Sequence, residues 1–133
     1  MKRKVSIRDV EKPNDKSHEE GLKWICDSLS LVSGRDVEDS SFKIMSELLN
    51  KFSENNMVST EDLSDSLGMD SPRINHHLRR LMESGIVNRE KRKVVLRGRS
   101  LTDSIKEMKR DSDKLFEKLM DVSKRVDREF GLE

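Results

Sequence analysis

The chain has 133 residues, 40% of them charged, 32% hydrophobic and 4% aromatic, and a net charge of +1. That length suits one domain with an extension, and so charged a chain has a thin core, solvated helices and a need for support from self-association. One cysteine, Cys26, excludes an internal disulfide or thiolate cage, no apolar run approaches the roughly 20 residues that span a bilayer, and residues 1–20 lack the apolar stretch of a secretion signal, so a cytoplasmic protein without membrane contact is expected.

Residues 1–17 read as a mobile basic arm, with four bases and no acid among the first eight and Pro13 interrupting any helix. From His18 to Val32, Leu22, Ile25, Leu29 and Val32 recur at helical spacing, and Gly34 stands where a helix end takes a left-handed residue. This gives an N-terminal helix unit over 18–34, with Trp24 expected to anchor a domain or subunit contact. A second helix, from about Ser41 to Ser53, gathers Phe42, Met45, Leu48, Leu49 and Phe52 on one face. Met57-Val58 then offers a short apolar step that can edge a small sheet.

"STEDLSDSLG" reads as a compact third helix, with Ser59 and Asp62 forming a capping box, Leu63 and Leu67 facing inward and Gly68 closing the end. Ser71 before Pro72 has the form of a cap followed by proline at the first helical position, and a fourth helix runs from there to Ser84, stopped by Gly85. Two helices across a three-residue, glycine-containing turn have the form of a helix-turn-helix. Ile86-Val87 and Val94-Val95-Leu96 flank "NREKRK", a hairpin whose tip is almost all charge.

The fourth helix carries two adjacent histidines and three arginines. On a helical wheel Ile74, Leu78, Leu81 and Met82 face inward with His77 at their edge, while Arg73, His76 and Arg80 point outward and Asn75 and Arg79 take the flank. Adjacent helical residues diverge by about 100°, so His76 and His77 do not share a metal, and the remaining histidine, His18, is distant in sequence. No metal and no cofactor is expected. Nor does the chain contain a phosphate loop or nucleophile elbow, and Cys26 sits in an apolar helix, so no enzyme is expected.

The charge is unevenly placed: residues 72–99 hold nine bases against two acids, and residues 9–71 hold six bases against fifteen acids. A local excess of that kind attracts a polyanion. A helix offering Arg, Asn and His can enter a major groove, and a basic hairpin carrying Arg89, Lys91, Arg92 and Lys93 can grip phosphate or the minor groove beside it.

At this point the sequence resembles the winged-helix transcription regulators of the ArsR and MarR type, particularly their archaeal relatives. The resemblance covers about Phe42 to Leu96. "STEDLSDSLGMDSPRINHHLRRLMESGIVNREKRKVVL" is similar to the ArsR order of positioning helix, "vSxHLxxLxxaGlV" and basic wing, with His77-Leu78 at the "HL" pair and Ser84-Gly85-Ile86-Val87 at "aGlV". It implies that Ser71, Arg73, Asn75, His76 and Arg79 touch DNA, and Arg80 is expected to join them, although the family often has an aliphatic residue there. "DLSDSLG" lacks the cysteine motif of the metal-sensing members, which speaks against thiolate sensing.

From Ser100 to Phe130 one long helix is expected. Leu101, Ile105, Met108, Ser112, Leu115, Leu119, Val122 and Val126 alternate steps of four and three, a heptad seam weakened at Ser112. In a parallel zipper none of the flanking pairs is a salt bridge, and Phe116 and Phe130 widen the stripe, which suits bundled or antiparallel packing. The expected architecture is mainly α: a winged helix-turn-helix domain over 41–98 with a small β-hairpin wing, an N-terminal helix, and a long dimerisation helix over 99–133. Leu101, Ile105, Met108, Leu115, Phe116, Leu119, Val122, Val126, Phe130 and Trp24 are the expected dimer contacts.

The resulting expectation is a homodimeric regulator reading double-stranded DNA, with residues 71–84 in the major groove and the wing, 88–94, on phosphate or the minor groove. The competing class is a protein-interaction adaptor built on the same fold, which would expose an apolar face where this helix is basic. An RNA-binding winged domain would need aromatic stacking residues, and the basic helix and wing have none. An effector ligand is not legible.

Overall fold

The computed structural model describes residues 3–4, 6–14, 17–31 and 40–132; Val32 and Gly34 fall outside them. Within these residues the chain forms α1 (His18–Ser28), α2 (Ser40–Phe52), β1 (Val58–Ser59), α3 (Thr60–Leu67), α4 (Ser71–Ser84), β2 (Val87–Glu90), β3 (Lys93–Leu96) and α5 (Leu101–Phe130). This is the mainly helical, winged architecture that the sequence leads one to expect.

Local chemistry sets most boundaries. The Ser59 hydroxyl accepts the Asp62 N–H at 3.1 Å to start α3, and Gly68, at φ 63°, ends it. Two expected boundaries move. The helix expected to reach Val32 stops at Ser28, because Ser30 takes φ 57° and closes a Schellman turn: the Leu31 N–H donates to the Cys26 carbonyl at 2.9 Å and the Ser30 N–H to that of Asp27 at 3.0 Å. At α4 the cap is Asp70, not Ser71, since the Asp70 carboxylate accepts the Arg73 N–H at 3.0 Å; Ser71 is then the first helical residue and Pro72 the second.

Ile44 and Leu48 of α2, Leu63 of α3, and Ile74 and Leu78 of α4 are wholly buried, and Val58, Ile86, Val87 and Val94 close the core from the sheet. The strands lie in the order β1-β3-β2, all antiparallel, with Val58 opposite Val94 and Val87 opposite Leu96. The apolar step at Met57-Val58 thus finds its place at the sheet edge, and the helix-turn-helix and wing share one core.

The root of α5 is fastened to that core. Ser104 is fully buried; its hydroxyl accepts the Gly98 N–H at 3.0 Å and donates to the Ser100 carbonyl at 2.9 Å. A Cβ on Gly98 would lie 2.6 Å from that of Asp103, so only glycine lets this loop meet the helix so closely. One turn beyond the domain, the Arg97 guanidinium donates to both oxygens of Asp111, to Oδ1 at 3.0 Å, with only 16% and 21% of the two side chains exposed. The hydrogen bonds from Arg97 hold the Asp111 carboxyl below its usual range, against the opposing effect of burial, and those to Asp111 raise Arg97.

Asp111→Asn is therefore expected to destabilise the protein by about 1.5–3 kcal/mol at neutral pH, the range for hydrogen bonds to charged groups. A carboxylate with a depressed folded pKa stabilises above its unfolded value, near 3.9, and loses that contribution as pH falls through the folded value. Denaturant unfolding at fixed protein concentration should show the gap between variant and parent closing below about pH 4. A gap constant to pH 2 would contradict it.

The basic arm, expected to be mobile, is held along the body in its described residues. The Lys4 N–H donates to the Glu83 carbonyl at 2.9 Å and the Arg8 N–H to that of Ser28 at 2.7 Å. The Trp24 indole N–H donates to the Val10 carbonyl at 2.9 Å, so this ring is half-buried and anchors the chain's own arm. By contrast, the outer half of α5 leaves the domain with Leu115, Phe116, Leu119, Met120, Val122, Val126 and Phe130 exposed.

Candidate nucleic-acid interface

The buried stripe of α4 fixes which of its side chains reach outward. Ile74, Leu78 and Leu81 face the core, so Ser71, Arg73, His76 and Arg79 are exposed and Asn75 is half-exposed at the flank. His77 is 8% exposed and belongs to the packed side: its Nδ1 lies 3.1 Å from the Ser41 hydroxyl, which donates to the Leu31 carbonyl at 2.6 Å. With its proton committed to Leu31, the hydroxyl accepts from Nδ1–H, which sets the imidazole tautomer. The adjacent rings meet edge to face, with centroids 5.4 Å apart, His76 on the outer side.

Two arginines of this helix make intramolecular bonds of different consequence. Arg73 is exposed and also donates to the Ser40 hydroxyl, which steadies it beside the start of α2. Arg80 departs from its expected outward place. Its Nη2 donates to the Ser30 carbonyl at 2.7 Å, because the turn after α1 presents that oxygen directly above the helix. Arg80 braces the turn and is half-exposed, while Arg73 and Arg79 are the exposed cations of α4.

The wing tip has an unusual backbone. Glu90 and Lys93 are register partners, which leaves Lys91 and Arg92 as a two-residue loop, with φ at 48° and 71°. Positive φ at both positions is the pattern of a type I′ turn, which ordinarily favours Asn-Gly. Holding a lysine and an arginine there costs about 1 kcal/mol or more per residue and puts both charges at the very end of the hairpin. Arg89, Lys91, Arg92 and Lys93 are all exposed.

The hairpin and α4 lie side by side. Arg89 Nη2 sits 3.5 Å from Asn75 Oδ1, a long contact that places the wing root against the outward flank of the helix. Ser71, Arg73, Asn75, His76, Arg79 and the four wing cations are thus on adjoining surfaces, while the acids of α3, Glu61, Asp62 and Asp65, lie exposed on the preceding helix. The exposed cations of α4 and the wing thus form one surface that attracts a polyanion, with Asp70 and Glu90 the exposed acids on it.

Two more basic residues organise this surface without being legible as part of it. Arg3 donates to the Met82 carbonyl at 2.8 Å and to Asn88 Oδ1 at 3.1 Å, and its Nε lies 3.8 Å from Asp111 Oδ2. One guanidinium therefore joins the end of α4, the root of the wing and α5. Arg97, counted among the basic excess of residues 72–99, is turned inward to Asp111. The excess of positive charge was the available signal for both, and it does not distinguish a brace from a contact.

Among the described residues no group of three or more His, Cys, Asp or Glu side chains could hold a metal ion, and no helix is long and apolar enough to cross a membrane. Residues 43–89, from the first turn of α2 to the third residue of β2, match the family described as bacterial regulatory protein, arsR family. No curated protein and no solved structure matches the chain. With the helix-turn-helix, the antiparallel wing and this match in agreement, residues 43–89 form a helix-turn-helix segment similar to that of the arsR family of regulatory proteins.

Proposed function

We propose that the protein is a homodimeric, sequence-specific transcription regulator that reads double-stranded DNA with α4 in the major groove and the wing on phosphate or the adjoining minor groove. The observation that carries this reading is the contact of Arg89 with Asn75, which sets two cationic elements on one surface. Asn75 and His76 are the base-reading groups, and Ser71, Arg73 and Arg79 hold the helix at the groove wall. Lys91, Arg92 and Lys93 neutralise phosphate. Arg80, half-exposed with its Nη2 engaged by Ser30, joins this contact set at the flank of the helix.

Dimerisation is supported by the outer half of α5, where Leu119 is 60% exposed and Phe116 59% exposed on a seam that the domain itself does not cover. Two copies related by a two-fold would present their α4 helices to half-sites about 10 bp, or a multiple of it, apart. The domain units of this reading are the arm, the α1 unit, residues 41–98 and the α5 unit from residue 99.

Selection of bound sequences from random duplexes tests binding, specificity and half-site symmetry together. Recovery of a palindromic site supports the proposal, and no enrichment over input would end it. Asn75→Ala or His76→Ala should change the recovered bases at one or two positions, with a loss of about 1–3 kcal/mol against the parent site and little change on random DNA. Equal losses on both would reassign these residues to the backbone.

A further inference from the structure

At the root of α5 lies a largely apolar crevice of about 310 Å³, roofed by Ile7 of the arm and walled by Leu29, Ser84, Ile105, Met108 and Ser112, with the Lys109–Asp113 ion pair also on its lining. Ile105, Met108 and Ser112 are also members of the heptad seam that continues as Leu115, Leu119, Val122 and Val126, so the crevice is the inner end of the exposed stripe. Ser112, the weak link of the seam, stands in its wall, where a small side chain leaves room for another group. At the other end of the same helix Phe130 is 75% exposed and Leu132 is 73% exposed, just past the last seam residue. One helix therefore offers an apolar hollow at its root and a large apolar plug at its tip.

We propose that α5 pairs antiparallel with α5 of a second copy, and that Phe130 of each chain enters the crevice of the other. The inference rests on the dimer reading above and adds its orientation and its occupant. Met108 and Phe130 are about 33 Å apart along the helix, so pairing them places the two-fold near Leu119, the middle of the exposed stripe. A two-fold makes the contact reciprocal, with hollow and plug matched at both ends. A parallel pair would instead bring the two Phe130 rings together and leave both crevices open.

Charge supports the same orientation. Lys109, Phe116, Met120 and Asp127 lie at i, i+7, i+11 and i+18, along one edge of the stripe, and in an antiparallel pair this edge meets its own copy. In this register Lys109, which also bonds Asp113 of its own helix at 3.0 Å, comes near the partner's Asp127, and Phe116 faces the partner's Met120. The parallel zipper has no opposite-charge pair flanking its seam. The other edge brings Lys118 near its own copy, a like-charge pair at a solvated rim with little weight.

The experiment is thiol cross-linking of the full chain with a short bifunctional reagent. Cys26 is fully buried and stays silent in the folded protein. Lys109→Cys and Asp127→Cys chains of different mass are mixed, allowed to exchange and cross-linked. The expected product is the mixed pair, with little product from either chain alone. Cross-linking of Asp127→Cys to itself, without the mixed product, means a parallel pair and overturns the proposal. Sedimentation of the unaltered chain separates that failure from failure of the dimer reading, since a monomer at micromolar concentration would overturn both.

Phe130→Ala supplies the second arm. It should weaken self-association at least about tenfold, as loss of a buried aromatic anchor does, and leave the circular dichroism of the diluted chain unchanged. Association as tight as that of the parent would mean that the crevice receives a small apolar ligand or nothing, which also overturns the proposal.

Discussion

Reversing Arg92 and Lys93 to glutamate is expected to weaken binding to every duplex, specific or random, by roughly thirtyfold or more near 0.15 M salt, since each lost phosphate contact removes a counterion-release factor of about 0.9 in the log–log salt slope. The slope itself should flatten by about two. Both residues are exposed, Arg92 in the turn at φ 71° and Lys93 as the first residue of β3, so neither replacement disturbs the core. The preference among sequences should remain, because the proposed base-reading groups lie on α4, away from the wing. Titration of one specific and one random duplex between 50 and 300 mM salt checks all three outcomes. Unchanged affinity at low salt would remove the wing from the interface.

Leu119→Asp carries the second large effect. Leu119 is 60% exposed, so a charge there leaves the chain's own fold intact while opposing burial against another helix. The expected product is a folded monomer by sedimentation. Joining two half-site readers converts the second contact into an intramolecular one, so affinity for a palindromic full site should fall by about 10²–10⁴, with affinity for an isolated half-site nearly unchanged. A variant that stays dimeric, or keeps its full-site affinity, would place the dimer contact elsewhere. The two variants are separable: one changes the salt slope on any DNA, the other the ratio of full-site to half-site affinity.

A protein-interaction adaptor would expose an apolar face on α4. The exposed residues of this helix are instead polar or charged, with the exception of Pro72, and its apolar residues are in the core. The large exposed apolar surface lies on α5, remote in sequence from the arsR-family match at residues 43–89. The proposed DNA contact and the proposed self-association thus fall on different elements, so variants can test each without the other.

Sequence by itself determined what depends on near neighbours. The Ser59 cap and Gly68 stop, the inward stripe of Ile74, Leu78 and Leu81, the burial of His77, the charged hairpin and the extent of α5 each rest on residues a few positions apart, where helical and strand periods apply. Even there the cap expected at Ser71 falls one residue earlier, since Asp70 takes the Arg73 N–H. Tertiary structure alone decided which cations remain available. Arg80 bonds Ser30 fifty residues away, Arg97 bonds Asp111 across the α5 junction, and Arg3 reaches Met82 and Asn88. An arginine looks the same in sequence whether it meets a carbonyl, a carboxylate or solvent. Its long side chain takes the nearest acceptor that the packed core brings within reach, and that distance exists only after folding.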